Sequence, residues 1–107
     1  MNPEPIERLI DGGRDSYEAR LAAGQARLKQ GDLDRAISHF RKATELDAER
    51  TMAWQELGKA LEAQGEYEVA HEVWVHGIEV ARDNGDKQAE KVMKVWLKRL
   101  EHEPPAE

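Results

Sequence analysis

Residues 51–86 read TMAWQELGKALEAQGEYEVAHEVWVHGIEVARDNGD, and the spacing of apolar residues within them decides how the chain folds. Ala53, Trp54, Leu57, Gly58 and Leu61 recur at the i, i+3, i+4, i+7 intervals that bring side chains to one face of an α-helix. Gly65 then supplies the left-handed backbone that stops a helix. A second helix follows, with Tyr67, Ala70, Trp74, Gly77, Ile78 and Ala81 as its main stripe and Val69, Val73 and Val80 adding a second apolar side. A helix that is apolar on two sides must be covered on two sides, as happens inside a stack of hairpins. The small residues at 70 and 77 let a neighbouring backbone approach, and Trp74 fills the space between them.

The same unit occurs earlier in the chain at an offset of 34 residues, as from Gly24 to Gly58. Ala26 matches Ala60, Gln30 matches Gln64, and Gly31 matches Gly65. The match continues in kind: Asp32 with Glu66, Leu33 with Tyr67, Ala36 with Ala70, Phe40 with Trp74, Ala43 with Gly77 and Leu46 with Val80. Small residues align with small ones and bulky with bulky, so the chain holds two copies of one helix hairpin.

In the second copy Trp54, Leu57, Gly58, Ala70 and Trp74 stand at the spacings of the tetratricopeptide signature, one of them with an aromatic exchange, and the chain resembles that family. The first copy keeps Gly24, Ala36, Phe40 and Ala43 but has Arg20, Ala23 and Arg27 where large apolar residues are usual. Ala48 and Arg82 replace the customary proline after each second helix, so those helices are expected to run on. The resemblance covers residues 17–84 directly. It implies an all-α fold, a right-handed superhelix of helix hairpins with about five main helices and a short N-terminal one. The expected organisation is an N-terminal segment over 1–14 and a single domain over 15–101. Within that domain the repeats span about 17–50 and 51–84 and a capping helix spans 87–101. A disordered tail is expected over 102–107.

The capping helix is read from its own pattern. Gly85 and Asp86 are stop and start signals. At about 100° per residue, Ala89, Val92, Met93, Trp96, Leu97 and Leu100 share one face, with Lys87, Lys91, Lys94 and Lys98 opposite. One apolar face and one lysine face suit the end of a repeat array. Val95 projects away from the apolar stripe and is expected either to be exposed or to touch a partner. At the other end, Pro5 to Ile10 form a short helix that turns at Gly12 and Gly13, with Ile6, Leu9 and Ile10 tucked against the first hairpin.

Composition agrees with this reading. All four prolines, at 3, 5, 104 and 105, lie at the ends, leaving the interior free of the strongest helix breaker. A net charge of −6 repels phosphate backbones and anionic lipid, so nucleic-acid and membrane-surface partners are disfavoured. The absence of cysteine removes disulfides, thiolate zinc sites and cysteine nucleophiles. The opening residues lack the apolar run of a signal peptide, and no stretch reaches the roughly 20 apolar residues of a membrane span. A cytoplasmic protein is the expectation.

No catalytic constellation emerges, and the chain is not expected to be an enzyme or to use a cofactor. His71 and His76 do not share a helix face; Glu72 and His76, at i and i+4, do, but two groups fall short of the three or four ligands of a zinc site, so the expectation is a solvated ion pair and no metal. His39, beside Phe40, reads as a boundary residue. Ser16 and Ser38 lack a Gly-x-Ser-x-Gly turn. Gly12-Gly13 lacks the strand, lysine and hydroxyl of a nucleotide loop and reads as a simple turn. The lysine stripe of the last helix is either a solvated cap or a surface for an acidic peptide or phosphate.

The family resemblance implies a curved shell whose inner surface, built by the first helix of each hairpin, holds an extended or helical peptide. That surface is expected to comprise Glu18, Leu21, Gln25, Leu28 and Lys29, then Met52, Gln55, Lys59, Glu62 and Ala63, joined by Lys94. Some members of the family clamp the terminal carboxylate of chaperone tails with lysine, asparagine and arginine; the matching positions here hold Leu21, Gln25 and Glu56, which predicts no such binding. The reading is therefore a docking module for a protein or peptide, monomeric or weakly dimeric. The alternative is a self-associating assembly module with no peptide ligand.

Overall fold

The computed structural model describes residues 2–102, and among them the regular structure is entirely helical. α1 spans Glu4–Asp11, α2 Tyr17–Lys29, α3 Leu33–Leu46, α4 Thr51–Ala63, α5 Tyr67–Asn84 and α6 Lys87–His102. Each helix packs on the next in the chain, and α4 also touches α2 and α6. The first helices of the hairpins and the capping helix thus lie side by side in a slab measuring 43 × 35 × 19 Å.

The two hairpin turns are copies of each other in hydrogen bonding. Asp32 N–H donates to the Arg27 carbonyl at 3.0 Å and Glu66 N–H to the Leu61 carbonyl at 2.9 Å, each closing over a glycine of positive φ, Gly31 at 79° and Gly65 at 89°. A Cβ at either glycine would force the strained left-handed conformation on an L side chain. Helix starts are capped by different means. Ser16 Oγ accepts from Ala19 N–H, and an Asp32 carboxylate oxygen accepts from Arg35 N–H. Arg50, at the start of α4, offers no side-chain cap. Its place is taken from the first repeat, where the buried Tyr17 hydroxyl accepts from Ala53 N–H at 3.2 Å. Asp86 serves two elements at once, accepting from Ala89 N–H at 3.1 Å and from the Thr51 hydroxyl at 2.8 Å.

The recurring glycines within the first helices have a packing cause. Phe40 and Trp74 are wholly buried, and each lies flat against the glycine of its own hairpin. A Cβ added at Gly24 would stand 2.5 Å from Cε1 of Phe40, and one at Gly58 would overlap Nε1 of Trp74. The indole N–H of Trp74 donates to the Gln55 carbonyl at 3.3 Å. Beyond it Trp96 of α6 tilts against Trp74 with ring centroids 5.4 Å apart, and Met93 seats its sulfur where a Cβ at Gly77 would be, 2.6 Å away.

Several expectations need correction. Only α5 runs on, to Asn84; α3 stops at Leu46 because Asp47 is extended and its carboxylate accepts from Glu49 N–H at 3.2 Å, starting a turn. Tyr67, expected in the main stripe of α5, is exposed, since it stands at the first position of that helix beside the turn. In α1, Ile10 is buried and Ile6 half-buried, but Leu9 is 54% exposed on the far side. The capping helix reaches His102, and Val95 is exposed as expected. Residues 103–107 of the expected tail lie outside the described residues.

The arginines that depart from the repeat pattern are what hold α1. α1 packs on α2 as α3 packs on α4. Arg27 reaches Glu7 of α1 with Nη2 at 2.5 Å and Nε at 3.1 Å from its carboxylate. His39, buried rather than at the boundary, places Nε2 2.7 Å from the same carboxylate. Its Nδ1 lies 3.1 Å from Nη1 of Arg20, which is itself paired with Asp15 at 2.8 and 2.9 Å. Arginine can only donate, so Nδ1 accepts and the Nε2–H donates to Glu7. These hydrogen bonds, with that from Arg27 the strongest, hold the Glu7 carboxyl down to about 2.

Two outcomes follow. Gly58→Ala gains up to about 1 kcal/mol in helix propensity, but forces a methyl into a wholly buried ring, an overpacking cost of roughly 1–3 kcal/mol or more. A net loss of stability in chemical denaturation is expected, with part of it recovered when Trp74→Phe is added; unchanged or raised stability would contradict the packing account. Because the folded carboxyl of Glu7 is lowered, its contribution is complete above the ordinary carboxyl value of 4.5 and lost as pH falls towards about 2. Glu7→Gln is expected to cost roughly 2 kcal/mol at neutral pH. The gap between the two proteins should close as the pH falls towards 2, and a gap independent of pH would contradict this.

Candidate functional site

The surface shared by α2 and α4 holds a cleft of about 440 Å³ lined by Gln25, Ala26, Leu28, Lys29, Glu56 and Lys59. Helical spacing explains the set: Gln25, Leu28 and Lys29 follow one another on one side of α2, and Glu56 and Lys59 answer from α4, their charged groups 3.8 Å apart. Nζ of Lys59 lies 5.8 Å from the centre of the Trp96 ring, a cation–π contact that carries the surface over to α6. A second hollow of about 310 Å³ lies towards the start of both helices, where Leu21 and Met52 meet Tyr17, Arg50, Thr51 and Asp86.

The residues expected to form the groove are thus divided. Gln25, Leu28, Lys29 and Lys59 meet in the first cleft, and Leu21 and Met52 in the second. Glu18 is tied to Arg50, whose guanidinium also stacks 4.1 Å over the Tyr17 ring; that hydrogen bond holds the Glu18 carboxyl below its usual range. Glu62 is gripped by Nη2 of Arg99 at 2.8 and 2.9 Å, joining α4 to α6. Gln55 is half-buried, with its carbonyl engaged by Trp74, and Ala63 is exposed at the end of α4. Lys94 lies elsewhere. It shares the outer face of α6 with Lys87, Lys91, Val95 and Lys98 and pairs with Glu90 at 2.7 Å.

Sequence reasoning left Trp96, Arg99 and Arg50 out of this surface. Trp96 was placed on the packing face of α6, which is correct, but one edge of its ring remains open under Lys59. Arg99 sits at the border of that apolar stripe, where only the position of α4 shows which carboxylate it meets.

The histidines have partners other than those expected. Glu72 and His76 do not pair. The His76 ring packs edge-on against Trp54 with centroids 4.5 Å apart, and its Nδ1 faces Glu79 at 3.9 Å. His71 reaches Glu101 of α6 at 2.8 Å. Among the described residues there is no group of three or more metal-ligating side chains. Ser38 and His39 line one hollow with Glu7, Asp11 and Arg35. Both ring nitrogens of His39 are already committed, to Glu7 and Arg20, which leaves none to activate a nucleophile. No described helix is long and apolar enough to cross a membrane.

Comparison with known proteins bears on this architecture. A family model described as tetratricopeptide repeat matches residues 6–73, from α1 into α5. A tetratricopeptide-repeat-containing protein of Pseudomonas aeruginosa is 37% identical over 101 residues, covering 94% of this chain and 96% of its own. Among solved structures, that of a protein from Bordetella parapertussis matches with a TM-score of 0.83 at 32% identity over 96% of this chain and 90% of its own. A tetratricopeptide repeat domain protein from Salinibacter ruber matches with a TM-score of 0.79 at 25% identity, over 87% of this chain and 94% of that one. With paired glycine turns, aromatic-on-glycine packing and a relative similar over nearly its whole length, the chain belongs to the tetratricopeptide repeat family.

Proposed function

We propose that the protein is a docking module that holds a segment of a partner protein in the cleft between α2 and α4. The observation that carries this is the composition of the cleft. Leu28 and Ala26 supply an apolar floor, Gln25, Lys29, Glu56 and Lys59 supply adjustable polar contacts around it, and the helices that present them are fixed from behind by the buried Phe40 and Trp74. A rigid, mostly apolar concavity with a few convergent polar groups is what recognition of a protein segment requires. Family membership supports the same reading, since stacked helix hairpins serve as binding surfaces.

Two hairpins make a short groove. Only a few side chains of a partner can be seated at once, so the expected affinity is modest unless the partner wraps further. The remaining concave charges are already used within the protein, Glu18 by Arg50 and Glu62 by Arg99, and they set the rim rather than the pocket.

The test is a pull-down from the source cell followed by titration of the recovered segment while amide signals are monitored. Shifts are expected at Gln25, Leu28 and Lys59, and Leu28→Glu is expected to weaken binding on the order of tenfold or more. Shifts confined to α5, or binding unaffected by that substitution, would contradict the proposal. In the same assay an acidic C-terminal peptide of the chaperone-tail kind should not bind, because Leu21, Gln25 and Glu56 occupy the positions of the carboxylate clamp; micromolar affinity would overturn that part.

A further inference from the structure

The outer faces of the last two helices carry opposite charges in mirrored order. On α5 the exposed residues Glu72, Val75, Glu79 and Asp83 follow at steps of three, four and four. On α6, read backwards, the exposed residues Lys98, Val95, Lys91 and Lys87 follow at the same steps. Each stripe is centred on a large apolar residue left in water: Val75 is 38% exposed and Val95 is 59% exposed. Residues at these intervals lie on one face of a helix.

Within one molecule the stripes do not meet. α5 and α6 pack through Trp74 and Gly77 on one side and Trp96 and Met93 on the other, and by helical position both charged stripes lie on the faces turned away from that contact. Among the described residues Lys87, Lys91 and Lys98 make no ion pair; Glu90, the acidic residue beside them, is already held by Lys94 at 2.7 Å and Arg82 at 3.1 Å. Glu72 and Asp83 likewise make none, and Glu79 has only the loose contact with His76.

We propose that the outer face of α6 docks on the outer face of α5 of a second copy of this chain. An antiparallel approach that sets Val95 on Val75 brings Lys98 opposite Glu72, Lys91 opposite Glu79 and Lys87 opposite Asp83, all in one register. The like charges exclude pairing of α6 on α6, which would oppose lysines, and of α5 on α5, which would oppose carboxylates. The contact therefore pairs unlike faces, either once, leaving a free α5 face at one end and a free α6 face at the other, or reciprocally about a two-fold axis. It does not use the cleft between α2 and α4, so it stands apart from the docking function.

Light scattering on the full chain over a range of concentrations tests this. The mass is expected to rise with concentration at low salt, and the association constant to fall on the order of tenfold or more at high salt, where charges are screened. A chain carrying Lys91→Glu and Lys98→Glu, or one carrying Glu72→Lys and Glu79→Lys, should remain a monomer. An equimolar mixture of the two should associate again, since each then supplies the face the other needs. The chain has no cysteine of its own, so mixing a Val75→Cys copy with a Val95→Cys copy should give the mixed disulfide in preference to either homodimer. A wild-type chain that stays monomeric throughout, charge-reversed chains that associate like the wild type, or a mixture that fails to associate would each overturn the proposal.

Discussion

The seating of an aromatic ring on a bare stretch of helix backbone governs this molecule. Phe40 on Gly24 and Trp74 on Gly58 are the same contact made twice, and each is wholly buried. Without a Cβ at the glycine, the two helices of a hairpin approach closely enough for the ring to fill the space between them; with one, the ring has nowhere to go. The distance and angle between α2 and α3, and between α4 and α5, follow from this contact. So does the alignment of α2 with α4 that opens a cleft on the opposite surface.

The ends of the array show how a short solenoid finishes its exposed faces. At the C-terminal end α6 supplies Met93 to the hollow over Gly77 and Trp96 to the flank of Trp74, and turns lysines outward. At the N-terminal end the solution is polar. Arg20 and Arg27 replace bulky apolar residues, and they find their partners in Glu7 of α1, His39 of α3 and Asp15. A buried group of this kind is stable when every member has its partner and costly when one is removed. Tyr17 makes a similar exchange between units, its hydroxyl capping a helix of the following repeat.

Much of this was legible in the sequence because it repeats. The glycines at 24 and 58, the aromatic residues at 40 and 74 and the turns at 31 and 65 recur at one offset, and the family follows from them. What was not legible depends on which parts of the chain meet in space. His39 looked like a boundary residue because its partners lie 19 and 32 positions away on other helices. Leu9 looked buried because eight residues of α1 carry too little pattern to say which side faces in. Glu18 and Glu62 were assigned to a groove by helical position alone, whereas Arg50 and Arg99 engage them. Gln25, Leu28, Lys29 and Lys59, expected on the inner surface, line the cleft between α2 and α4, because position on the helix face suffices to bring them together.

The proposed docking role rests on the separation of these surfaces. The aromatic contacts fix the scaffold, the cleft between α2 and α4 is open on one side of it, and the outer faces of α5 and α6 lie apart from both. Native-state hydrogen exchange tests the central claim most directly, because it reports the opening free energy of each helix separately. The amides of α2 to α5 around Gly24, Phe40, Gly58 and Trp74 should form the slowest class, exchanging together by global unfolding, with α1 opening at lower free energy. Protection of α1 equal to that of α4 and α5, or fast exchange around Trp74, would show that the aromatic-on-glycine contacts do not hold the array together.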